Sequence, residues 1–343
     1  MNTPIIQLLQ FAIGIILLIL VHEIGHFIAA RLLKIEVEEF GIGLPPRARK
    51  LFRAWGTDFT LNWIPLGGFV RPKGENDPSV EGGLAAASPW KRLTVLFAGP
   101  AMNILFALVL GAILFYQIGQ PVLDKVLIDQ VAPGSPAELA GLKAGDIIVE
   151  LNETKIDGQA RLQEQIQANL GQTVEIVYLR GDQTFSTTLV PRENPPAGQG
   201  AMGIRMSSPT VPITFSQAIR QGAAATYENV TGILHLPLRM VSGQASPEEG
   251  RLVGYKGMFE IYQQLQSPLW FFMAISISLG VFNLLPIPAL DGGRILFTLP
   301  ELLFRRRVPP RFENALHLVG FALLLILLIY VNVQDFINPV QLP

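Results

Sequence analysis

The stretch PIIQLLQFAIGIILLILVHEIGHFIAA, residues Pro4–Ala30, decides how this chain is built. It contains no charged side chain before His22, and apolar residues resume after the segment that carries His22, Glu23 and His26. About 20 consecutive apolar residues are enough to cross the hydrocarbon core of a bilayer. No basic residue precedes the run and no small-residue cleavage site follows it, so we expect a retained membrane-spanning helix rather than a signal peptide. This helix holds three ionisable side chains.

The composition of the whole chain agrees with a membrane protein. Of its 343 residues, 50% are hydrophobic and 15% are charged, and the mean hydropathy is +0.38. An ordinary soluble domain has roughly 25% charged residues, so a fully soluble enzyme is disfavoured. Further apolar stretches at 93–116, 269–285 and 316–330 bring the predicted number of spans to four.

Charge and cysteine content exclude several classes of function. The net charge is −1, which offers no basic field for a nucleic-acid partner. There is no cysteine, so disulfide frameworks, cysteine-ligated zinc and thiol nucleophiles are excluded. A metal ion would have to be held by His, Asp or Glu.

A segment of different composition separates the second and third spans. Between Val122 and Met206, alternating apolar runs at 126–128, 146–151, 173–179 and 184–190 predict strands, and 136–140 and 160–170 predict helices. The result is a small α/β module, followed by an amphipathic helix at 214–241, broken at Pro237, on the membrane surface. We therefore expect a polytopic α-helical membrane protein divided into a membrane core (1–118), this module (119–206), a surface linker (207–267) and a second membrane core (268–343).

The distribution of Lys and Arg predicts the orientation. The segment between the first two spans carries ten of them and the short link between the last two carries five, whereas the tails carry none. Short basic loops face the cytoplasm. We expect both termini and the module outside, with the lipid bilayer as the immediate partner.

His22-Glu23-Ile24-Gly25-His26 is an H-E-x-x-H motif. Residues four apart share one face of a helix, so both imidazoles can reach one Zn²⁺ ion. Glu23 points about 100° away and can hold and deprotonate the zinc-activated water. The alternative, that these residues merely cap a span at the interface, explains neither the spacing nor the glutamate.

A catalytic zinc site usually has three protein ligands. We expect His235 and His317 to be interface residues. Asp291 is the better candidate for the third ligand, because two prolines before it break the helix within the membrane and the freed backbone groups require a protein-lined or wet cavity. About 27 Å of helix separates Pro4 from His22, and about 33 Å separates Leu269 from Asp291, so both sites fall near the cytoplasmic side. The alternative is that Asp291 caps the helix that follows.

Three motifs together carry a resemblance to a known family. HEIGH, Phe97–Asn103 (FAGPAMN) and Asn283–Gly293 (NLLPIPALDGG) resemble the site-2 protease family, in particular bacterial regulator-of-sigma-E proteases with a PDZ module. The resemblance implies an intramembrane zinc metalloprotease in which His22, His26 and Asp291 are ligands and Glu23 is the catalytic base. It also suggests that Asn283 orients the substrate or stabilises the oxyanion. A helix–helix hydrogen bond is the alternative role for Asn283.

Two further segments resemble parts of that family. Phe59–Val70, with Gly67-Gly68 as its turn, resembles a membrane-associated β-hairpin whose edge could pair with an extended substrate, the alternative being a plain structural hairpin. Ala132–Asn152 looks like a PDZ domain, a fold whose groove binds a peptide or a C-terminus. A single PDZ module is expected, where the best-known relatives have two.

The resemblance implies cleavage within the transmembrane segment of single-span proteins in the cell inner membrane. Release of an anti-sigma factor fragment or clearance of remnant signal peptides would be the outcome. A catalytically idle PDZ-bearing scaffold would be expected to lack Glu23 or a ligand. A metal transporter would show several polar positions along one path, but the second and fourth spans offer almost none beyond Asn103.

Overall fold

A computed structural model describes residues 4–246, 249–265 and 267–340 of the chain. The ends of the predicted membrane cores, 1–3 and 341–343, and three positions of the predicted surface linker lie outside the described residues. The chain forms two compact units, one made of Met1–Leu114 with Phe215–Pro343 and the other of Phe115–Thr214. The boundaries of the four predicted segments stay a prediction.

In chain order the elements are α1 (Pro4–Leu32), β1 (Val37–Ala54), β2 (Thr57–Pro72), α2 (Pro89–Ile118), β3 (Gln120–Pro121), β4 (Val126–Val131), α3 (Pro136–Leu139), β5 (Ile147–Leu151), β6 (Thr154–Lys155), α4 (Gln159–Ala168), β7 (Val174–Arg180), β8 (Gln183–Leu189), β9 (Ile204–Ser207), β10 (Thr210–Val211), α5 (Phe215–Val241), α6 (Tyr255–Gln264), α7 (Pro268–Asn283), α8 (Asp291–Phe304) and α9 (Pro310–Ile337).

Three of the described helices, α1, α2 and α9, are long and apolar enough to cross a membrane. The 18-residue apolar stretches within these helices have mean hydropathies of 2.5, 2.1 and 2.5. The helix at the third predicted span, α7, is apolar but has only 16 residues, or about 24 Å of helix. Three spans are therefore supported by length and composition, and a fourth at α7 stays a prediction.

The membrane core is centred on α1, α2 and α7. Leu18 of α1, Leu114 of α2, and Met273 and Ile277 of α7 pack in one cluster, and each is at most 1% exposed. Interdigitated apolar side chains fix how helices sit against each other. Leu18 lies one turn before His22, and α7 leads into the loop before Asp291, so this packing sets the frame of the candidate site.

A β-hairpin follows α1, but its turn is not where the sequence predicted it. The outer arms of β1 and β2 pair from Arg47 with Asn62 to Ala54 with Thr57, and Trp55-Gly56 closes the turn with φ of 51° and 82°. Two residues with positive φ are typical of a tight hairpin turn.

Gly67-Gly68, predicted as the turn, lies instead inside β2, where Gly68 pairs with Ile42 of β1. A Cβ on Gly68 would lie 3.2 Å from both the Gly41 carbonyl oxygen and Leu20 Cδ2, and 3.6 Å from Glu23 Cγ. A glycine inside a strand often marks a close approach of another segment. Gly68 thus lets β2 approach α1 beside the candidate site. Because Gly67-Gly68 lies inside β2, the predicted turn position was wrong.

The amphipathic helix predicted at 214–241 is α5, which runs through Pro237 to Val241 without a break. The predicted break was wrong: the φ of proline is compatible with a helix, and α5 continues although Pro237 removes one i→i−4 hydrogen bond and its ring crowds the carbonyl one turn earlier. The chain beyond it stays helical, and the Ser242 N–H still donates to the Leu238 carbonyl at 2.9 Å. Near the chain end, buried Asp335 of α9 accepts the backbone N–H groups of Gly254 and Gly257 and so holds the start of α6.

The second unit is the predicted small α/β module. Its larger sheet has the order β8-β7-β5-β4-β9, with β6 paired to β5, and β3 pairs with β10 in a separate two-stranded sheet. Ile128, Ile148, Leu151 and Leu162 are fully or almost fully buried between the sheet and the helices α3 and α4. Strands β4, β5, β7 and β8 lie where alternation predicted them. Alternate residues are buried in β4 and β7, whereas β8 buries only its last residue, Leu189.

Candidate active site

His22 and His26 lie one turn apart on α1, which is continuous through the motif. Their Nε2 atoms are 3.1 Å apart. The two rings are nearly perpendicular, with centroids 4.7 Å apart. Helix geometry alone thus brings two nitrogen donors to one point, as the spacing predicted.

Asp291 joins them from the start of α8. Its Oδ2 lies 3.1 Å from His22 Nε2 and 3.3 Å from His26 Nε2. The residue at the N-cap position of α8 is Leu290, whose side chain makes no capping hydrogen bond. The carboxylate of Asp291 therefore faces the two histidines, and the ligand atoms of all three residues lie within 4.8 Å of one another.

The three donors have the spacing that a tetrahedral metal ion needs. Ligands at about 2.0–2.1 Å from zinc in a tetrahedron lie about 3.3 Å from one another. The observed separations are 3.1–3.3 Å. Two imidazole nitrogens and one carboxylate oxygen are also a donor set that zinc accepts, so these residues fit the ion.

Helix α2 leaves room beside the donors because Gly99 faces them. A Cβ on Gly99 would lie 2.3 Å from His26 Nε2 and 2.8 Å from His22 Nε2. Any side chain at this position would occupy the space between the ligand atoms. The glycine of FAGPAMN thus keeps the point of convergence open.

The second nitrogen of each histidine also has a partner on α2. The Val95 carbonyl oxygen lies 2.8 Å from His26 Nδ1 and accepts its proton, which leaves Nε2 available to a metal. Asn103 Nδ2 lies 3.3 Å from His22 Nδ1. Oδ1 of the same amide is buried and has no partner within the described part of the chain. When His22 binds a metal through Nε2, its ring proton lies on Nδ1. If the Asn103 amide is oriented with Oδ1 toward the ring, Oδ1 accepts this proton, so His22 Nδ1 and Asn103 Oδ1 both have a hydrogen-bond partner.

Glu23 stands apart from the three-residue group and contacts β2. Its Oε2 accepts the backbone N–H of Val70 at 3.0 Å. Glu23 nevertheless lines the same cavity as the three donors, a space of about 270 Å³. A carboxylate beside the donors, yet outside their convergence point, has the placement that proton transfer requires.

Asn283 lines this cavity as well, from the last turn of α7. Its Nδ2 donates to the Leu279 carbonyl at 2.9 Å, within its own helix. A primary amide carries two N–H donors, so one remains for another acceptor. The predicted non-ligands lie elsewhere: His235 is exposed on α5 and His317 lies on α9.

The family model described as peptidase family M50 matches residues 10–327, nearly the whole chain. The chain belongs to peptidase family M50. This is the site-2 protease family that the three motifs resemble, and the prediction of a membrane-embedded, zinc-dependent metallopeptidase is confirmed.

Two relatives match this M50 chain over almost their full lengths. A Clostridium perfringens protein named "Putative zinc metalloprotease" is 34% identical, covering 94% of this chain and 96% of the relative. A Campylobacter jejuni protein of the same description is 33% identical, covering 96% and 93%. Among solved structures, the PDZ domain of an SdrC-like protein of Listeria monocytogenes matches 24% of this chain and 87% of its own, at 26% identity and a TM-score of 0.22.

Some residues of this M50 site were given no role by the sequence. Asn103 is fully buried in an apolar helix, and a polar residue in such a place is itself a signal of function. Gly99 shows its importance only when the space around it is known. Val70 acts through its backbone N–H, so its side chain carries no signal.

Proposed function

We propose that the chain hydrolyses a peptide bond within or near the transmembrane segment of single-span membrane proteins. The observation that carries the proposal is the convergence of His22, His26 and Asp291, at 3.1–3.3 Å, on and beside an apolar helix long enough to span a bilayer. A site within such a helix meets its substrates where they cross the membrane.

In the proposed reaction, His22, His26 and Asp291 hold zinc. The bound ion supplies Lewis-acid polarisation of the attacking water and of the scissile carbonyl. Glu23 accepts the proton that the water loses as it attacks the carbonyl carbon. It then delivers this proton to the amine nitrogen that leaves when the C–N bond breaks. The Val70 N–H orients the Glu23 carboxylate for both transfers.

Asn283 is the proposed donor to the oxygen that becomes negatively charged. Its amide lines the cavity, and the hydrogen bond to Leu279 fixes its orientation while one N–H stays uncommitted. A fixed donor near developing negative charge lowers the barrier because it need not reorganise during the reaction.

Strand β2 is the proposed guide for an extended substrate. Phe69 and Val70 of β2 line the cavity that contains Glu23. A helical substrate keeps its scissile amide in the i→i−4 hydrogen-bond ladder, so it must unwind before water can attack. Pairing with the backbone of a strand would hold the unwound segment in place.

The proposed topology places both termini and the 119–206 module outside the cell inner membrane, with the metal site toward the cytoplasm. The charge distribution supports this orientation. The absence of natural cysteine makes it directly testable, because a single cysteine introduced at exposed Leu139 or at exposed Arg306 would be the only thiol. We expect an impermeant thiol reagent to label the former from outside and the latter only after permeabilisation.

The module is proposed to be a PDZ domain that receives a peptide or a new C-terminus. A cavity of about 270 Å³ lies between Gln163 and Ile166 of α4 and Ile204 and Met206 of β9. Strand β9 ends the sheet order, and a terminal strand can accept an added strand. Substrates shortened by an earlier cleavage, such as anti-sigma factors or remnant signal peptides, would present such an end.

Cleavage of a model single-span substrate in proteoliposomes tests the proposal. Wild type is compared with Glu23→Gln and with the control Glu38→Gln, which changes an exposed carboxylate, all at matched zinc content. We expect wild type and the control to cut within the span and Glu23→Gln to be slower by about 10²-fold or more. Equal cleavage rates for wild type and Glu23→Gln would refute the proton-transfer role of Glu23, whereas no cleavage by zinc-loaded wild type would favour an idle PDZ-bearing scaffold.

A further inference from the structure

The loop that delivers Asp291 contains a residue in an unfavourable conformation. Ala289 has φ of +79°, although it is not glycine. Side chains with a Cβ rarely adopt this region and keep it only when surrounding contacts enforce it. Ala289 lies two residues before Asp291 and lines the active-site cavity. The contact that holds Ala289 therefore influences where the Asp291 carboxylate points.

That contact comes from α9. His317 Nδ1 accepts the backbone N–H of Ala289 at 2.8 Å. Its other nitrogen, Nε2, has no hydrogen-bond partner within the described residues, and Glu313 Oε1 is 3.9 Å away. The bond to Ala289 is thus the one hydrogen bond seen for this ring in the described part of the chain.

The imidazole is held firmly in position. Its side chain is 14% exposed. The ring of Phe297, from α8, meets it edge-on with centroids 5.6 Å apart. One turn further along α9, Gly320 lies so near Pro288 that a Cβ would be 2.6 Å from the Pro288 carbonyl oxygen. Helix α9 is therefore pressed against the residues that precede Asp291.

We propose that His317 is a positioning residue for the metal centre. Its neutral imidazole accepts the Ala289 N–H, holds that residue at positive φ and so keeps the Asp291 carboxylate facing His22 and His26. Helix α9 supplies no ligand, yet it completes the site. The proposal rests on the ligand set of the proposed function.

Substitutions at His317 separate this role from simple packing. Asn places its Oδ1 one bond from Cγ, as His places Nδ1, so it can accept the same N–H. Gln carries its acceptor one bond further out, and Leu has none. His235→Leu on α5 is the matched control, since it makes the same change at an exposed histidine.

The measurement is the zinc affinity of the full-length, detergent-solubilised chain, determined by competition with a chelator. Loss of an outer partner of a metal site typically costs 10–100-fold in affinity, so we expect about tenfold or more for His317→Leu. His317→Asn and His235→Leu should stay within about threefold of wild type. If His317→Leu does not fold, His317→Gln replaces it with the same expected loss.

A second arm tests the strained residue directly. Glycine adopts positive φ without strain, so Ala289→Gly should reduce the loss caused by His317→Leu. The proposal is overturned if Leu and Asn lower zinc affinity equally, or if Leu leaves it unchanged. Asp291→Ala separates a failure of the ligand set from a failure of the positioning role. If Asp291→Ala leaves zinc affinity intact, the ligand set is wrong. If Asp291→Ala abolishes zinc binding and His317→Leu leaves zinc affinity unchanged, only the positioning role of His317 fails.

Discussion

Replacing Gly99 with alanine should empty the metal site while leaving the fold in place. The added Cβ would lie 2.3 Å from His26 Nε2. Carbon–heavy-atom contacts are comfortable at about 3.5 Å, so one of the two groups must move by about 1 Å. Zinc ligand distances tolerate only about 0.2 Å. We therefore expect zinc affinity to fall by at least about 100-fold, equivalent to about 2.8 kcal/mol.

The assay is zinc content after purification, followed by chelator competition on the same samples. Gly111→Ala is the control on the same helix, since its Cβ would lie 3.0 Å from Gly222 Cα and far from the donors. Gly111→Ala should lower thermal stability and retain zinc. If Gly99→Ala binds zinc as tightly as wild type, the ion does not sit between His22 and His26, and the proposed ligand set is refuted.

Two further predictions concern the polar residues around the site. Asn283→Ala should lower the cleavage rate by about 10²-fold with zinc content unchanged, since an oxyanion donor acts on the transition state and not on the metal. A proportional loss of zinc would instead assign Asn283 a structural role. Asn103→Leu should weaken zinc binding by about tenfold or more, whereas Asn103→Asp, which keeps an oxygen facing His22 Nδ1, should retain most of it. Equal behaviour of these two Asn103 variants in chelator competition would contradict the hydrogen bond assigned here.

The long helices and the strands of the module were predictable because their signals are local. An apolar run of span length identifies α1, α2 and α9 whatever surrounds them. Strand alternation identified β4, β5, β7 and β8 for the same reason. The four-residue strand β9 gave no periodicity long enough to predict it.

The two wrong predictions, the turn at Gly67-Gly68 and the helix break at Pro237, concern residue types that can have more than one structural role. Gly67-Gly68 has the composition of a turn, but Gly68 allows β2 to approach α1 beside Glu23. Pro237 has the composition of a break, but α5 continues through it. Which use applies depends on neighbours that are distant in sequence, and a local pattern does not contain them.

By itself, the sequence determined the donor types and the geometry of the first two, because a helix places residues four apart on one face. It also determined that these donors lie in an apolar span. Only the tertiary structure decided that Asp291 meets them, that Gly99 leaves space between them, and that Asn103 and His317 approach from other helices. These contacts join segments that are far apart in the chain. They depend on side-chain packing between helices, which produces no periodic pattern in the sequence of any single helix.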